Sequence, residues 1–536
     1  MCRVSLGCWL WFPLSLMLSV ASLVEAQSNG YELLLRRGLV FDGAGGEAVV
    51  ADVAVSDGKI VAMGELHESA AALVIDCTSL VVCPGFIDLH THSDNPILAP
   101  ETRANTNYLL QGCTTIVTGN CGSGPTDLAS YFQKIDQFGA GTHVIHLLPQ
   151  GSLRNHVMGQ ARREPTEDEH RRMLELAEQA MLDGAYGMST GLIYVPSMFA
   201  DTQELIEIAK VVAKYGGIYA SHIRGEGIGL IDSIQEVLEI ADQSGAHVHV
   251  SHFKASGKDA WGSLHLAVKM IEEARSAGVA ITADQYPYAA SSTSLEATLF
   301  PAWSREGGRK QLEKRLSEPE TAARIRAAVV SKLNNTNRIQ IAVCQAHREW
   351  IGMSLDEIAA AEGMEAADIA LQIQRSGGAS VVNFGMNEDD VRLAMGIEWV
   401  ATASDGGAKI PSGSLPHPRS FGTFPRKIGH YAIQEKTLSL AQAIRSASAL
   451  PAEILGLTDR GMIQEGLAAD LVVFDPETFR DRATFTEPYL PPTGIRFVFV
   501  EGVAAVFEGQ ATGALAGRVL RKPARSPHEA TTGKPE

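Results

Sequence analysis

The chain has 536 residues, 45% hydrophobic and 20% charged, which exceeds one compact core and suits a large domain with a smaller companion. Its formal net charge of −17 argues against nucleic-acid binding, because phosphate backbones require clustered cations. Apart from a Pro/Lys/Arg/Thr-rich stretch over residues 518–536, whose composition predicts a disordered tail, no repeat or low-complexity tract stands out.

The first predicted element is MCRVSLGCWLWFPLSLMLSVASLVEA, with Arg3 ahead of an apolar stretch ending in Val24-Glu25-Ala26. Small residues at −3 and −1 predict signal-peptide cleavage before Gln27, and hence export to the periplasm or beyond the cell. The run from Val4 to Val24 is long for such a segment, so an uncleaved membrane anchor is the alternative; Pro13 and the cleavage site favour the signal. No later segment is apolar enough to span a bilayer, so the mature chain is expected to be soluble. Cleavage leaves Cys77, Cys83, Cys113, Cys121 and Cys344, an odd number, so one thiol has no partner within the chain.

Residues 31–83 alternate apolar and polar positions between Asp-Gly turns, and GLAADLVVFD and IRFVFVEGVAAVFEG near the other end read alike. The expectation is one small β-sandwich domain built from residues 31–83 and 455–515. Between them, residues 84–454 carry eight apolar runs: GFIDLHTH, TTIVTGNC, THVIHLLPQG, GAYGMSTG, GIYASHIRG, HVHVSHFKAS, VAITADQYPY and WVATASDGG. Helical stretches with apolar residues at 3.6-residue spacing lie among them, including QELIEIAKVVAKY, IDSIQEVLEIADQ and LHLAVKMIEEARSA. Eight strand-then-helix units predict an α/β fold, a (β/α)8 TIM-like barrel. A mainly helical insertion is expected after the seventh strand, over about 296–378. Two further apolar runs, RIQIAVCQ and ASVVNFG, fall in that interval and leave the strand count there open.

In such a barrel the C-terminal strand ends build the active site, and side chains at i and i+2 share a face. PGFIDLHTHSD pairs His90 with His92, with Asp94 beyond; SHIRGEG places Arg224 after His222; SHFKAS places Lys254 after His252. Cys121 ends the second run and Asp405 the eighth. Imidazole, thiolate and carboxylate are zinc's ligand set, so these strand ends predict a metal site. A disulfide between Cys121 and Cys113 is the competing fate of the thiol. His143, His146, His247 and His249 suit packing or surface roles better.

PGFIDLHTHSD, GNCG, GMSTGLIYVP, SHIRGEG, HVSHFKASG, DQYPY, ASDGGA, HPRSFGTFPRKIGHY and the closing PAEILGLTDRGMIQEGLAADLVVFD together resemble the D-aminoacylase (N-acyl-D-amino-acid deacylase) branch of the amidohydrolase superfamily, across most of residues 31–510. The resemblance implies zinc-dependent hydrolysis of N-acyl-D-amino acids, with Cys121 in place of the carboxylated lysine of most dinuclear relatives. It implies a tight zinc on Cys121, His222 and His252, and a weaker second site on His90 and His92 sharing the thiolate. Lys254 and a tyrosine of DQYPY, Tyr286 before Tyr288, would clamp the substrate carboxylate, with Tyr194 also in contact. Asp405 is expected to take a proton from water and pass it to the leaving amine. Arg224 either joins the carboxylate site or pairs with Glu226 or another carboxylate. His417, Arg419 and Arg426 are expected in a wall or lid over the site, and Gln150 stands where relatives often carry histidine. The competing readings are a cyclic-amide hydrolase, a dipeptidase for C-terminal D-residues, and a catalytically silent scaffold of the same fold.

Overall fold

The computed structural model describes residues 30–66 and 71–523, so the signal segment expected over residues 1–26 lies outside it. Both chain ends meet in one nine-stranded sheet. The N-terminal part supplies Tyr31–Val40, Val49–Ser56, Lys59–Gly64, Ala71–Asp76 and Val81–Pro84; the C-terminal part supplies Leu471–Phe474, Ile495–Val500, Val503–Phe507 and Gln510–Ala511. The halves join where Val81–Pro84 runs antiparallel to Leu471–Phe474, with Cys83 opposite Val472. Three tight hairpins turn on a residue-Gly pair with both φ angles positive: Asp57-Gly58, Glu501-Gly502 and Glu508-Gly509. That is the geometry whose twist matches the flanking strands.

Strand alternation sorts the side chains of this sheet into two cores. Val82, Leu471, Val473, Phe497 and Phe499 pack within the domain with Leu33, Leu35, Val53 and Val55. Their neighbours Val81, Cys83, Val472, Phe474, Val498 and Val500 pack with the barrel's main core. A one-residue slip would exchange the two sets, so register and docking are determined together.

The barrel strands are Phe86–Asp88, Cys113–Thr118, a third in two pieces (His143–His146 and Leu148–Pro149), Gly187–Gly191, Ile218–His222, His247–Val250, Ile281–Gln285 and Val400–Thr402. All pair in parallel. The third strand is interrupted at Leu147, whose N–H still donates to Thr118 O (3.0 Å), while Tyr186 N–H reaches His146 O (3.1 Å). First and eighth strands join just past their ends, where Thr91 bridges to Gly406 and the Asp405 N–H donates to His90 O (2.8 Å). This join brings His90, His92 and Asp405 together.

The helix Thr202–Lys214 illustrates how the outer ring forms. Asp201 caps it by accepting from Glu204 N–H (2.7 Å), and Gly216, at φ +66°, follows its end. Leu205, Ile208, Ala209 and Val212 form its buried stripe at helical spacing. Burying each large apolar side chain stabilises by about 1.5–3 kcal/mol.

Between the seventh and eighth strands the excursion is wider than residues 296–378. It begins with Ser291–Ser294 and ends with Ser380–Asn383, which pair antiparallel and, with Ile339–Val343, make a three-stranded sheet apart from the barrel. RIQIAVCQ and ASVVNFG are therefore insertion strands rather than barrel strands. The first strand, SSTS, has no apolar alternation to reveal it. The insertion has its own core, including Leu295, Leu299, Ile325, Ile341, Trp350 and Ile369.

The tail expected to be disordered from residue 518 is ordered through residue 523. Val519 pairs beside Val144, and Val519 and Leu520 are buried, while Arg518 and Arg521 reach Glu501 and Asp136. Two apolar side chains among the basic ones suffice to dock it. Among the described residues no helix is long and apolar enough to cross a membrane.

Candidate metal centre and catalytic site

Three site residues sit on left-handed backbone just past a strand: Cys121 (φ 51°), His252 (φ 37°) and Asp405 (φ 50°). Non-glycine residues held there store about 1–3 kcal/mol each, which the surrounding structure must offset. The glycines of GNCG serve the same turn. At Gly119 (φ +78°) a Cβ would lie 2.1 Å from Leu147 O, and at Gly122 (φ +67°) it would lie 2.9 Å from Gly191 N. Ser189 Oγ donates to Gly119 O and accepts from Gly122 N–H (3.0 Å), and Asp94 accepts from Gly119 N–H (2.6 Å). The glycine-rich turn aims the thiol into the barrel mouth.

All five cysteines among the described residues are free and buried, so Cys121 has no disulfide with Cys113. Its sulfur faces three imidazoles: His90 Nε2 at 3.3 Å, His222 Nδ1 at 3.8 Å and His252 Nε2 at 3.8 Å. Burial alone would raise the thiol's pKa, but His90 and the hydrogen bonds from His222, His252 and His90 outweigh it and hold Cys121 well below the usual thiol range. Ligands bound to one tetrahedral zinc, with Zn–S about 2.3 Å and Zn–N about 2.1 Å, are separated by about 3.6 Å. The observed spacings bracket that value, and a thiolate among imidazoles is chemistry that fits a divalent soft-to-borderline metal.

A second cluster adjoins the first. His92 Nε2 lies 3.0 Å and His90 Nε2 3.6 Å from Asp405 Oδ1. The donor atoms of His90, Cys121 and His252 lie within 4.8 Å of one another, as do those of His90, His92 and Asp405. Burial would raise the Asp405 carboxyl, yet Arg419, His90 and the His92 hydrogen bond keep it well below the usual carboxylate range. It is ionised.

Further carboxylates orient the ligands, and sequence reasoning gave them no such role. Asp284 accepts from His252 N–H (2.6 Å) and His249 Nε2 (2.9 Å) and lies 3.5 Å from His90 Nδ1. His249 thus supports the site instead of merely packing. Asp88 accepts from the backbone N–H groups of His90 (3.1 Å) and Ser404 (3.0 Å). Glu226 Oε1 lies 2.8 Å from His252 Nδ1 and accepts from Lys254 Nζ (2.5 Å), which also donates to His252 Nδ1 (2.8 Å); with Nδ1 engaged there, Nε2 is the ring atom turned to the Cys121 sulfur. Asp284 is the first residue of DQYPY, one before the end of its strand, and a carboxylate there was the one readable signal.

Of the residues expected around the substrate, Tyr194, Tyr286 and Lys254 line a cavity of about 1180 Å³ that opens over the centre. Tyr194 stands 5.2 Å from His222, ring to ring, and shares a hydrogen bond with Thr293 (2.9 Å). Lys254 is engaged by Glu226. Arg224 also borders the cavity, but its guanidinium is held by Glu236 (2.9 and 3.1 Å) and by the carbonyls of Met198 and Ala200, so it is a structural residue and not a free cation. The strand ends at His222, and the alternation that placed Arg224 inward stops with it. Tyr288 packs against His417, Phe485 and Arg426, away from the cavity. HPRSFGTFPRKIGHY is a buried wall in place of a lid: His417 binds Ala290 O, Arg426 binds Pro287 O, and Arg419 alone of the three enters the cavity, 2.7 Å from Asp405 Oδ2 and 4.9 Å above the Tyr286 ring. Gln150 is buried with Ser197, Glu204 and Arg154 behind the turn.

A parallel barrel whose strand ends converge one thiolate, four imidazoles and an ionised aspartate on an open cavity defines a metal-dependent hydrolase. The amidohydrolase family model matches residues 73–506, and the chain belongs to that family. It is 35% identical over 524 residues to D-aminoacylase of Alcaligenes xylosoxydans xylosoxydans, covering 93% of this chain and 99% of that one. A solved D-aminoacylase with a binuclear metal center superposes with a TM-score of 0.79 at 33% identity, covering 92% of this chain and all of that one. The N-acyl-D-glutamate deacylase of Bordetella bronchiseptica, solved with zinc and a phosphonate mimic of the tetrahedral intermediate, matches at TM-score 0.79 and 31% identity, again over 92% of this chain and all of that one.

Proposed function

We propose that this protein is a metal-dependent deacylase that hydrolyses the amide bond of N-acyl-D-amino acids, releasing a D-amino acid and a carboxylate. The observation that carries the reading is Cys121 Sγ facing His90, His222 and His252 with Asp405 across the same mouth. The relatives named for deacylation of D-amino acids supply the handedness; no single side chain does.

Cys121, His222 and His252 would hold a tightly bound zinc, and His90 and His92, sharing the sulfur, a weaker second ion. The sulfur's nearly equal distances to His90 and to the other two imidazoles support a shared ligand. A divalent metal held there supplies polarisation of the acyl carbonyl and acidification of water. Asp405 Oδ1 takes the proton of the attacking water and delivers it to the departing nitrogen. One carboxylate serves both transfers because the proton gained is the one the amine needs. Arg419 holds Oδ2, which keeps Oδ1 aimed at the histidines.

The substrate's carboxylate would be received by Lys254, Tyr286 and Arg419. Both cations lie within 6 Å of the Tyr286 ring centroid, at 5.8 and 4.9 Å, which supports one anion site between them. Export through the Met1–Ala26 segment is part of the same reading, and N-terminal sequencing of the mature protein beginning at Gln27 would support it.

The test is hydrolysis of N-acetyl and N-formyl D- and L-amino acids with and without a chelator. D-selective, chelator-sensitive release of the amino acid is expected. Asp405→Asn should lower kcat by about 10²–10⁴ with bound metal retained. Chelator-independent activity, or wild-type rates in Asp405→Asn, would remove the mechanism.

A further inference from the structure

The anion site depends on where one long side chain points. Arg419 is buried; its Nη1 lies 2.7 Å from Asp405 Oδ2, its Nη2 donates to Ser292 O (3.1 Å), and its guanidinium stands 4.9 Å from the Tyr286 ring centroid. An arginine side chain has many rotamers, so a cation that must meet a carboxylate in one pose gains from being fixed beforehand. His417, two residues earlier, ties down the Arg419 backbone. Its Nδ1 accepts from the Arg419 N–H (3.0 Å), and its Nε2 lies 2.9 Å from Ala290 O. An accepting Nδ1 carries no hydrogen, and the carbonyl requires one on Nε2. The imidazole is therefore neutral, in a single tautomer, with both nitrogens in use. Burial and the charge of Arg419 hold it well below the usual imidazole range, in agreement with that assignment.

These bonds close a circuit. Ala290 and Ser292 belong to one short stretch that leads from DQYPY into the strand Ser291–Ser294. His417 grips that stretch at Ala290 and Arg419 grips it at Ser292, so the Arg419 backbone and the tip of its side chain are both held to the same segment. Tyr286, four residues before Ala290, packs against the His417 ring (6.0 Å between centroids) and also lies under the guanidinium. Tyr288 and Phe485 meet the His417 ring edge-on at 5.0 and 5.1 Å. Packing among these rings asks only for an apolar body; the contacts at the two nitrogens ask for an imidazole.

We propose that His417 is a positioning residue for the anion site: by accepting from the Arg419 N–H and donating to Ala290 O, it sets the guanidinium above Tyr286 before substrate arrives. The inference rests on the deacylase reading above and adds the residue that fixes its carboxylate clamp. His417 acts through Arg419 and not on the substrate, so its removal should weaken binding more than turnover. The Asp405 contact of Arg419 does not involve the imidazole, and none of the ring's contacts is to a metal-binding side chain.

The experiment measures kcat and KM, with bound zinc and melting temperature, for whichever N-acyl-D-amino acid the metal-loaded enzyme hydrolyses fastest. It compares wild type, His417→Leu, His417→Asn, Arg419→Met and the double variant His417→Leu/Arg419→Met. His417→Leu keeps an apolar body in place and should raise KM by about tenfold, with kcat changed by less than about threefold and zinc content unchanged. Asparagine side chains readily bond the backbone two residues on, so His417→Asn should bring KM back to within about threefold of wild type. The double variant should be no worse in KM than Arg419→Met alone, because two residues acting through one group do not add. If His417→Leu does not fold, His417→Gln, whose amide replaces Nε2 but not Nδ1, takes its place in the cycle. Additive losses in the double variant, an unchanged KM in His417→Leu, or no recovery in His417→Asn overturns the inference while leaving the deacylase reading intact. No hydrolysis by the wild type overturns both.

Discussion

Replacing Cys121 by serine removes the one anionic ligand from a set of imidazoles. The sulfur lies 3.3–3.8 Å from three ring nitrogens, and it is ionised because His90 and its hydrogen-bonded neighbours outweigh its burial. A serine hydroxyl on a shorter bond stays protonated near neutrality and leaves the cation facing neutral rings. Four-ligand zinc sites are worth about 10–16 kcal/mol, so losing one ligand should cost about 3–4 kcal/mol, or about 10²–10³ in affinity. Chelator competition with a fluorescent zinc indicator measures this directly, alongside kcat/KM for an N-acyl-D-amino acid. The left-handed backbone at residue 121 persists in the variant, so the metal-free fold should melt within a few degrees of wild type. A Cys121→Ser protein that holds zinc as tightly as wild type and turns over normally would falsify the role assigned to the thiolate.

Arg419→Met should raise KM for N-acyl-D-amino acids by about tenfold or more and also slow kcat, because Asp405 loses its partner. Arg224→Met should leave KM within about threefold while costing about 1–3 kcal/mol of stability, since its bonds run to Glu236 and to backbone carbonyls. The reverse pattern in steady-state kinetics would exchange their roles. At the barrel–sandwich junction, burial opposes ionisation of Asp470, but His143 and Arg460 prevail and bring its pKa down to about 2. Its folded value lies below the unfolded one, so this stabilisation, about 2 kcal/mol, is complete above about pH 4 and is lost as pH falls through 2. Asp470→Asn should therefore flatten the stability–pH curve in that window while destabilising the fold at neutral pH, as read by denaturant titration. Leu205→Ala, in the buried stripe of Thr202–Lys214, should cost about 2–5 kcal/mol by thermal unfolding with metal affinity unchanged.

The two cations near the site show where sequence reasoning stops. Arg224 and Lys254 were placed in the cavity by strand alternation, but each lies past its strand: one ends at His222, the other at Val250. Beyond those points loop geometry chooses the direction: Glu236 and two carbonyls hold Arg224, whereas Lys254 stays on the cavity wall beside Glu226. Arg419 reaches the cavity from a helix that no periodicity links to the barrel. Ser291–Ser294 was equally hidden, because a strand of hydroxyl residues has no apolar alternation.

Sequence by itself determined which side chains could be ligands. Regular strands ending in His, Cys or Asp put donors at one mouth, and an odd set of cysteines left a thiol to spare. Only tertiary structure decided how those donors are held, because Asp284 and Glu226 reach their histidines from other strands and their loops, and Asp88, two residues before His90, ties that turn to Ser404 at the far end of the barrel. Strand periodicity is a local property that short sequence windows carry; charge pairing is a property of proximity, and proximity exists only once the barrel has brought its ends together.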